Sequence, residues 1–208
     1  MAEAQDKKPT LFTPKARLGQ YPNIFTLGKP NDAGKAYYEM DLLIDPEAQK
    51  SLEFQALKAA AAAAVKEEWG SDVPEGMRSP FRKASSKKRQ SDNSSYYPEA
   101  EFPGHILLHV KSKNQPGVVG NTVDPKTGKV RIITDDVEVY GGCFIRASVH
   151  PFAYQVKGNS GVSFWVNNIQ KLADGPALGG YKSAPTDDFG PVAGATDEEL
   201  DDMFGDAA

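Results

Sequence analysis

Apolar and polar residues alternate most cleanly between residues 137 and 154, VEVYGGCFIRASVHPFAY. Cys143, Ile145, Ala147 and Val149 share one parity, and Phe144, Arg146, Ser148 and His150 share the other. A period of two marks a strand with one face in a core and one face left free. Gly141 and Gly142 interrupt the pattern and predict a bulge or sharp bend of the kind that closes a small barrel. An outward Phe144 beside an outward Arg146 suits base stacking and phosphate neutralisation, although a half-buried strand with a mixed solvent face shows the same alternation.

The same reading assigns the remaining elements. Residues 13–27 set Ala16 and Leu18 against Lys15, Arg17 and Tyr21, a first strand bent near Pro22, and GKPNDAGK, residues 28–35, is dense in turn formers. Residues 37–44 send Tyr38, Met40, Leu42 and Ile44 inward and leave Tyr37, Glu39 and Asp41 outward. Asp45, Pro46 and Glu47 supply a cap, a first-turn proline and an acid at the positive end of a dipole. They predict a helix that runs through Ala59 and Ala64 to Trp69, is closed by Gly70, and packs through Phe54, Leu57, Ala61 and Val65. A third strand over residues 105–113 turns Ile106, Leu108 and Val110 inward and His105, His109, Lys111 and Lys113 outward. DPKTG, residues 124–128, predicts a hairpin turn, and residues 161–172 a last strand in which Phe164 and Val166 oppose Trp165 and Asn167, with the buried face left open.

Between the helix and the third strand, residues 71–104 hold no sustained period. Residues 78–89, RSPFRKASSKKR, carry six basic residues and no acid, with Phe81 among them and Tyr96 and Tyr97 soon after. A long basic loop with interspersed rings is suited to closing over a polyanionic strand; the plainer alternative is a solvated charge run.

Charge sharpens this division. Residues 1–173 carry 23 Lys and Arg against 19 Asp and Glu, a net of +4, whereas residues 174–208 carry Lys182 alone against nine acids, a net of −8. A mildly basic body joined to an acidic segment implies an anionic partner for the body. One cysteine, Cys143, rules out a disulfide framework within the chain and fits a reducing compartment. No run approaches the roughly 20 apolar residues of a membrane span and MAEAQDKKPT has no apolar leader core, so a cytoplasmic protein without a membrane partner is expected.

Catalytic chemistry finds little to use. His105 and His109 are about 13 Å apart along one strand face, too far to share a metal. Neither a Walker-type loop nor a dinucleotide fingerprint occurs, and no cofactor is implied. Asp135, Asp136 and Glu138, with Asp124 at a stretch, offer a metal-dependent nuclease as a remote alternative. The binding reading is better supplied. Tyr37, Lys111, Lys113, Phe144, Arg146 and Trp165 offer rings and cations on strand faces, and Arg82, Lys83, Lys87, Lys88, Arg89, Tyr96 and Tyr97 extend the set into the loop. The expected fold is mainly β with one long helix, an OB-fold: a five-stranded Greek-key barrel with extended loops. Residues 1–12 form a flexible N-terminus, 13–173 the nucleic-acid-binding barrel and 174–208 a disordered acidic tail.

QPGVVG, then VYGGCFIRASVHPFAY, then SGVSFWVNNIQKLADGPALGG, with DDMFGD near the end, resemble the OB-fold single-stranded DNA-binding proteins of tailed bacteriophages. The likeness covers residues 13–180 and is closest from residue 116 onward. It implies a non-enzymatic protein of the host cytoplasm that coats single-stranded DNA and protects replication and recombination intermediates. It also implies an acidic tail that recruits replication proteins such as polymerase, primase or helicase, through Asp201, Asp202, Phe204 and Asp206. In one respect the chain departs from the usual OB order, since its helix falls between the second and third strands and not between the third and fourth. A recombination or annealing mediator is the nearest alternative, and a structural virion protein a further one.

Overall fold

The chain builds a closed ring of strands. In the computed structural model, which describes residues 10–31, 33–156 and 158–179, the elements are β1 (Leu11–Phe12), β2 (Ala16–Leu18), β3 (Tyr38–Ile44), α1 (Leu52–Trp69), β4 (Phe81–Lys83), β5 (Ile106–Ser112), β6 (Gly117–Val123), β7 (Val130–Ile132), β8 (Phe144–Val156) and β9 (Asn159–Ala173). β2 pairs with β3, β3 with β5, β5 with β9, β9 with β8, and β8 again with β2. Only the β5–β9 step is parallel. This five-stranded closure is an OB-fold barrel, and β6 and β7 extend it as a hairpin laid parallel along β9.

Period-two alternation explains the core. Leu18, Met40, Leu42, Val110, Ile145, Val149 and Phe164 point into the ring, each no more than 2% exposed. Burying one such side chain contributes roughly 1.5–3 kcal/mol. The last strand is thereby settled: Phe164 and Val166 face inward, Trp165 and Asn167 outward.

The helix lies between the second and third barrel strands, as its place in the sequence requires, and the barrel closes nonetheless. Phe54, Leu57, Ala61 and Ala64 bury against β8, β1 and β9. Ala64 takes the position expected of Val65, which is only partly buried. The helix also starts later than its acidic signal suggests. Asp45 Oδ1 accepts from the Ala48 amide at 2.8 Å and caps a short 3-10 turn, Ala48–Lys50, while Ser51 Oγ accepts from the Phe54 amide at 3.2 Å and opens the α-helix.

Two expectations about strand boundaries need correction. Residues 13–27 are not one strand: β2 ends at Leu18, and pairing resumes only in an Asn23–Glu39 bridge. β8 begins at Phe144, so Gly141 and Gly142 precede it and serve a close crossing instead of an internal bulge. Gly142 has φ +116°, a Cβ there would lie 2.1 Å from the Pro176 carbonyl oxygen, and the Leu178 amide donates to Gly141 O at 2.7 Å. Arg17 Nη2 also donates to Pro176 O at 2.8 Å. Residues 174–179 therefore belong to the folded body, beyond the expected boundary at Ala173.

A second apolar layer covers the outer face of β3 and β5. Leu43, Ala84, Tyr97, Phe102 and Leu107 form it, donated largely by the connection between β4 and β5. Asp41, expected outward in solvent, is 4% exposed because that connection lies over it.

Candidate nucleic-acid interface

Three strands bring rings and cations together on one side of the barrel. The parallel register sets Lys111 opposite Trp165, and the antiparallel β8–β9 register sets His150 opposite Trp165 and Phe152 opposite Ser163. Phe152 consequently stacks on Trp165, with centroids 4.3 Å apart and planes inclined by 17°. Tyr37, just ahead of β3, lies 6.0 Å from Trp165, and Tyr154 lies 6.2 Å from Phe152. The Lys111 ammonium sits 5.0 Å from the Tyr37 ring and 5.5 Å from those of both Phe152 and Trp165, while Lys113 sits 5.8 Å from Trp165. All four rings are half-buried. Burial pushes the Lys111 pKa below its ordinary value, with the Glu39 carboxylate opposing. Such a cation–ring contact contributes about 0.5–2 kcal/mol depending on desolvation, so Lys111 holds the rings as a unit.

A groove of about 470 Å³ adjoins this cluster at Tyr154 and is lined also by Arg78, Arg82, His109 and Ser163. Arg78 is fixed by backbone bonding to Ser160 and Val162, and its Nη2 donates to Asn159 Oδ1 at 2.8 Å. The Arg82 side chain is exposed and has no hydrogen-bond or ion-pair partner among the described residues.

Beneath the groove lies a charge network centred on the buried Asp41. Asp41 accepts from Tyr97 Oη at 2.8 Å, pairs with Lys87 Nζ at 2.5 Å and faces His109 Nδ1 at 3.0 Å. His109 Nε2 lies 3.5 Å from Glu39 Oε2. Burial alone would raise the Asp41 pKa, but the His109 hydrogen bond and the Lys87 charge hold it well below the usual carboxylate range. For His109, burial works downward and the Asp41 and Glu39 contacts outweigh it, so its pKa lies above the ordinary value. Burial first and Asp41 second push the Tyr97 phenol far up.

The expected loop residues are only partly available. Tyr97 is 1% exposed and belongs to the second core, so it is no stacking ring. Lys87 is engaged with Asp41, and both Lys87 and Arg89 lie over the Tyr96 ring, at 5.4 and 4.9 Å. Arg89 Nη2 also reaches Gln20 Oε1 at 3.4 Å. These contacts staple residues 84–97 to the barrel, which is not an open arm. Arg82, Lys83 and Lys88 stay exposed.

Phe144 and Arg146 do not join the ring cluster. At about 3.3 Å per residue they lie roughly 26 and 20 Å from Phe152 along β8, with Lys15 Nζ 4.5 Å from the Phe144 ring, and Arg146 bonded to Gln170 and 5.8 Å from the exposed Phe12. The single concave face expected from the sequence is thus two surfaces. The carboxylates do not converge either: Glu138 forks onto Arg131, and Asp135 accepts from the Val137 amide. Among the described residues no group of three or more His, Cys, Asp or Glu side chains is placed to hold a metal. Cys143 is buried, which pushes its thiol pKa up to about 11. Asp201, Asp202, Phe204 and Asp206 lie outside the described residues.

The sequence pattern alone does not single out Phe152 or Tyr154, and it includes Arg78 only as part of the 78–89 basic run. The first two continue the parity of Phe144 and Arg146, so the signal was present in the strand itself.

A closed five-stranded OB barrel with rings and cations on its outer face defines a class of nucleic-acid-binding scaffold. The chain belongs to the Enterobacter phage Enc34 single-stranded DNA-binding protein family, whose family model matches residues 10–204. A protein designated p50 from Acyrthosiphon pisum secondary endosymbiont phage 1 is 25% identical over 182 residues, 86% of this chain and 92% of p50. Among solved structures, the single-stranded DNA-binding protein from bacteriophage Enc34 in complex with single-stranded DNA matches with a TM-score of 0.61 at 14% identity, covering 81% of this chain and 88% of that one. The single-stranded DNA-binding protein encoded by bacteriophage T7 gives a TM-score of 0.47 at 16% identity over 91% of this chain and 98% of that one.

Proposed function

We propose that this protein binds single-stranded DNA with little sequence preference, using the ring cluster of Tyr37, Phe152, Tyr154 and Trp165 around Lys111. The observation that carries this reading is the position of Lys111, within 5.5 Å of three half-buried rings. Unpaired bases expose faces that stack on any ring, and Lys113, Arg82 and Arg78 supply charge for the accompanying phosphates. Duplex DNA hides its base faces and offers the cluster only phosphates. Binding of fluorescent oligo-dT across a salt series, with duplex competitor, tests the reading. It expects affinity that falls steeply with salt and resists duplex.

Coating of this kind protects single-stranded replication and recombination intermediates in the host cytoplasm. The acidic segment from residue 180 to 208 then serves as a partner-binding tail, with Phe204 as apolar anchor and Asp201, Asp202 and Asp206 as steering charges for a basic pocket on a polymerase, primase or helicase. A second reading, an annealing mediator, draws on the separate pairs Lys15–Phe144 and Phe12–Arg146, which would give a second strand its own surface. A strand-annealing assay separates the two.

A further inference from the structure

His109 belongs to two structures at once. It lines the groove with Arg78, Arg82 and Tyr154, and it is bonded into the network that holds residues 84–97 to the barrel. We propose that this groove is a phosphate subsite of the DNA surface in which His109 acts as an imidazolium, so that seating an internucleotide phosphate is linked to retention of that proton. The proposal rests on the DNA-binding reading above and adds its regulation.

Geometry favours a second proton on His109. Both ring nitrogens face carboxylate oxygens, Nδ1 at 3.0 Å from Asp41 and Nε2 at 3.5 Å from Glu39. A neutral imidazole has one N–H and would turn a lone pair toward one of those carboxylates; only the imidazolium presents an N–H to both. The Glu39 contact is longer than a good hydrogen bond, which leaves the Nε2 proton available to an incoming phosphate oxygen. The groups around His109 come from every packed element: Glu39 and Asp41 from β3 contact it, Lys87 from the covering loop pairs with Asp41, and Arg78 and Arg82 from β4 and the segment before it, Tyr154 from β8 and the uncharged Ser163 from β9 line the same groove. The three cations exceed the two carboxylates by one, and the imidazolium doubles that excess to +2. A phosphodiester stays anionic through the neutral range, so pH dependence there reports the protein.

By linkage, if the phosphate favours protonated His109, binding takes up a proton at pH values above the histidine's pKa in the free protein. Calorimetric titration of the full chain with oligo-dT, in two buffers of different ionisation enthalpy, counts that proton directly. The expected result is uptake of up to about one proton per groove occupied, with affinity falling by at most about tenfold per pH unit as pH rises from about 6.5 through the His109 pKa. His109→Gln should flatten both dependences while quenching of Trp165 persists at saturating DNA. Arg82→Gln should reduce the salt slope by about 0.7 and lower the proton count. The wild-type measurement stands even if a variant fails to fold. Tight binding without proton uptake, and with equal affinity across the range, overturns the phosphate subsite and leaves the ring cluster intact. Absence of oligo-dT binding at every pH overturns the DNA-binding reading itself.

Discussion

Lys111 and Trp165 are partners across the parallel β5–β9 pair, and the lysine ammonium lies 5.5 Å from the centroid of an indole that stacks on Phe152 at 4.3 Å. The β5–β9 step is the one parallel pairing of the barrel ring, and with the β8–β9 pairing it gathers residues from β5, β8 and β9 on one outer surface. Fold and candidate site thus have a common origin in strand order.

Lys111 holds rings and faces solvent charge together. Lys111→Gln should weaken oligo-dT binding and make the logarithmic salt slope shallower by about 0.7, the value for one phosphate contact on a single strand. An unchanged slope with normal folding would confine Lys111 to a packing role.

The basic residues of the covering loop should divide into two groups. Lys83→Gln with Lys88→Gln should lower affinity without altering base preference, because phosphate contacts carry no sequence information. Lys87→Met should instead lower stability by about 1–3 kcal/mol, since it leaves the 4%-exposed Asp41 without one partner while Lys87 itself remains partly solvated. Chemical denaturation distinguishes them: equal stability losses in all three would contradict the division.

Stability should be limited on both sides of neutrality by the same network. Asp41 has a depressed pKa, so its contribution is present above about pH 4 and is lost as pH falls through the folded value. His109 has a raised pKa, so its contribution is complete below about pH 6.5 and is lost as pH rises through the folded value. Thermal unfolding across pH should show a maximum between these limits. Asp41→Asn should flatten both flanks, and a wild-type profile in that variant would remove the network from the account.

The acidic segment should compete with DNA for the basic body. With net charge −7 over residues 180–208, tethering gives it an effective concentration of order millimolar. Deletion of residues 184–208 should raise oligo-dT affinity at low salt and abolish binding of replication partners, and Phe204→Ala should remove partner binding with little effect on DNA. A truncated chain that binds no tighter at low salt would end the competition model.

Much of this was legible in the chain. Alternation placed Cys143, Ile145, Ala147 and Val149 in the core, and DPKTG marked the turn between β6 and β7, because both signals are local. Asp41 and Tyr97 were misread because their surroundings are not: residues 84–105 fold back over β3 and β5, and no period within a strand records that a distant loop will cover it. Phe144 and Trp165 were grouped because parity fixes a face but not a position along a strand. Separating them needed the register of β8 on β9. Gly141 and Gly142 signalled tight geometry correctly in kind, yet the close approach is to residues 176–178, which composition alone assigned to a tail.

The most direct measurement compares Phe152→Ala with Phe144→Ala in oligo-dT titrations read by tryptophan fluorescence, in a Trp69→Phe background so that only Trp165 reports. Loss of a stacking ring costs about 1–3 kcal/mol, or about 5- to 150-fold in affinity. Phe152→Ala should show that loss, with altered Trp165 quenching, while Phe144→Ala binds within about twofold of the parent. The opposite ranking, with Trp165 fluorescence indifferent to DNA, would contradict the assignment of the ring cluster as the binding surface.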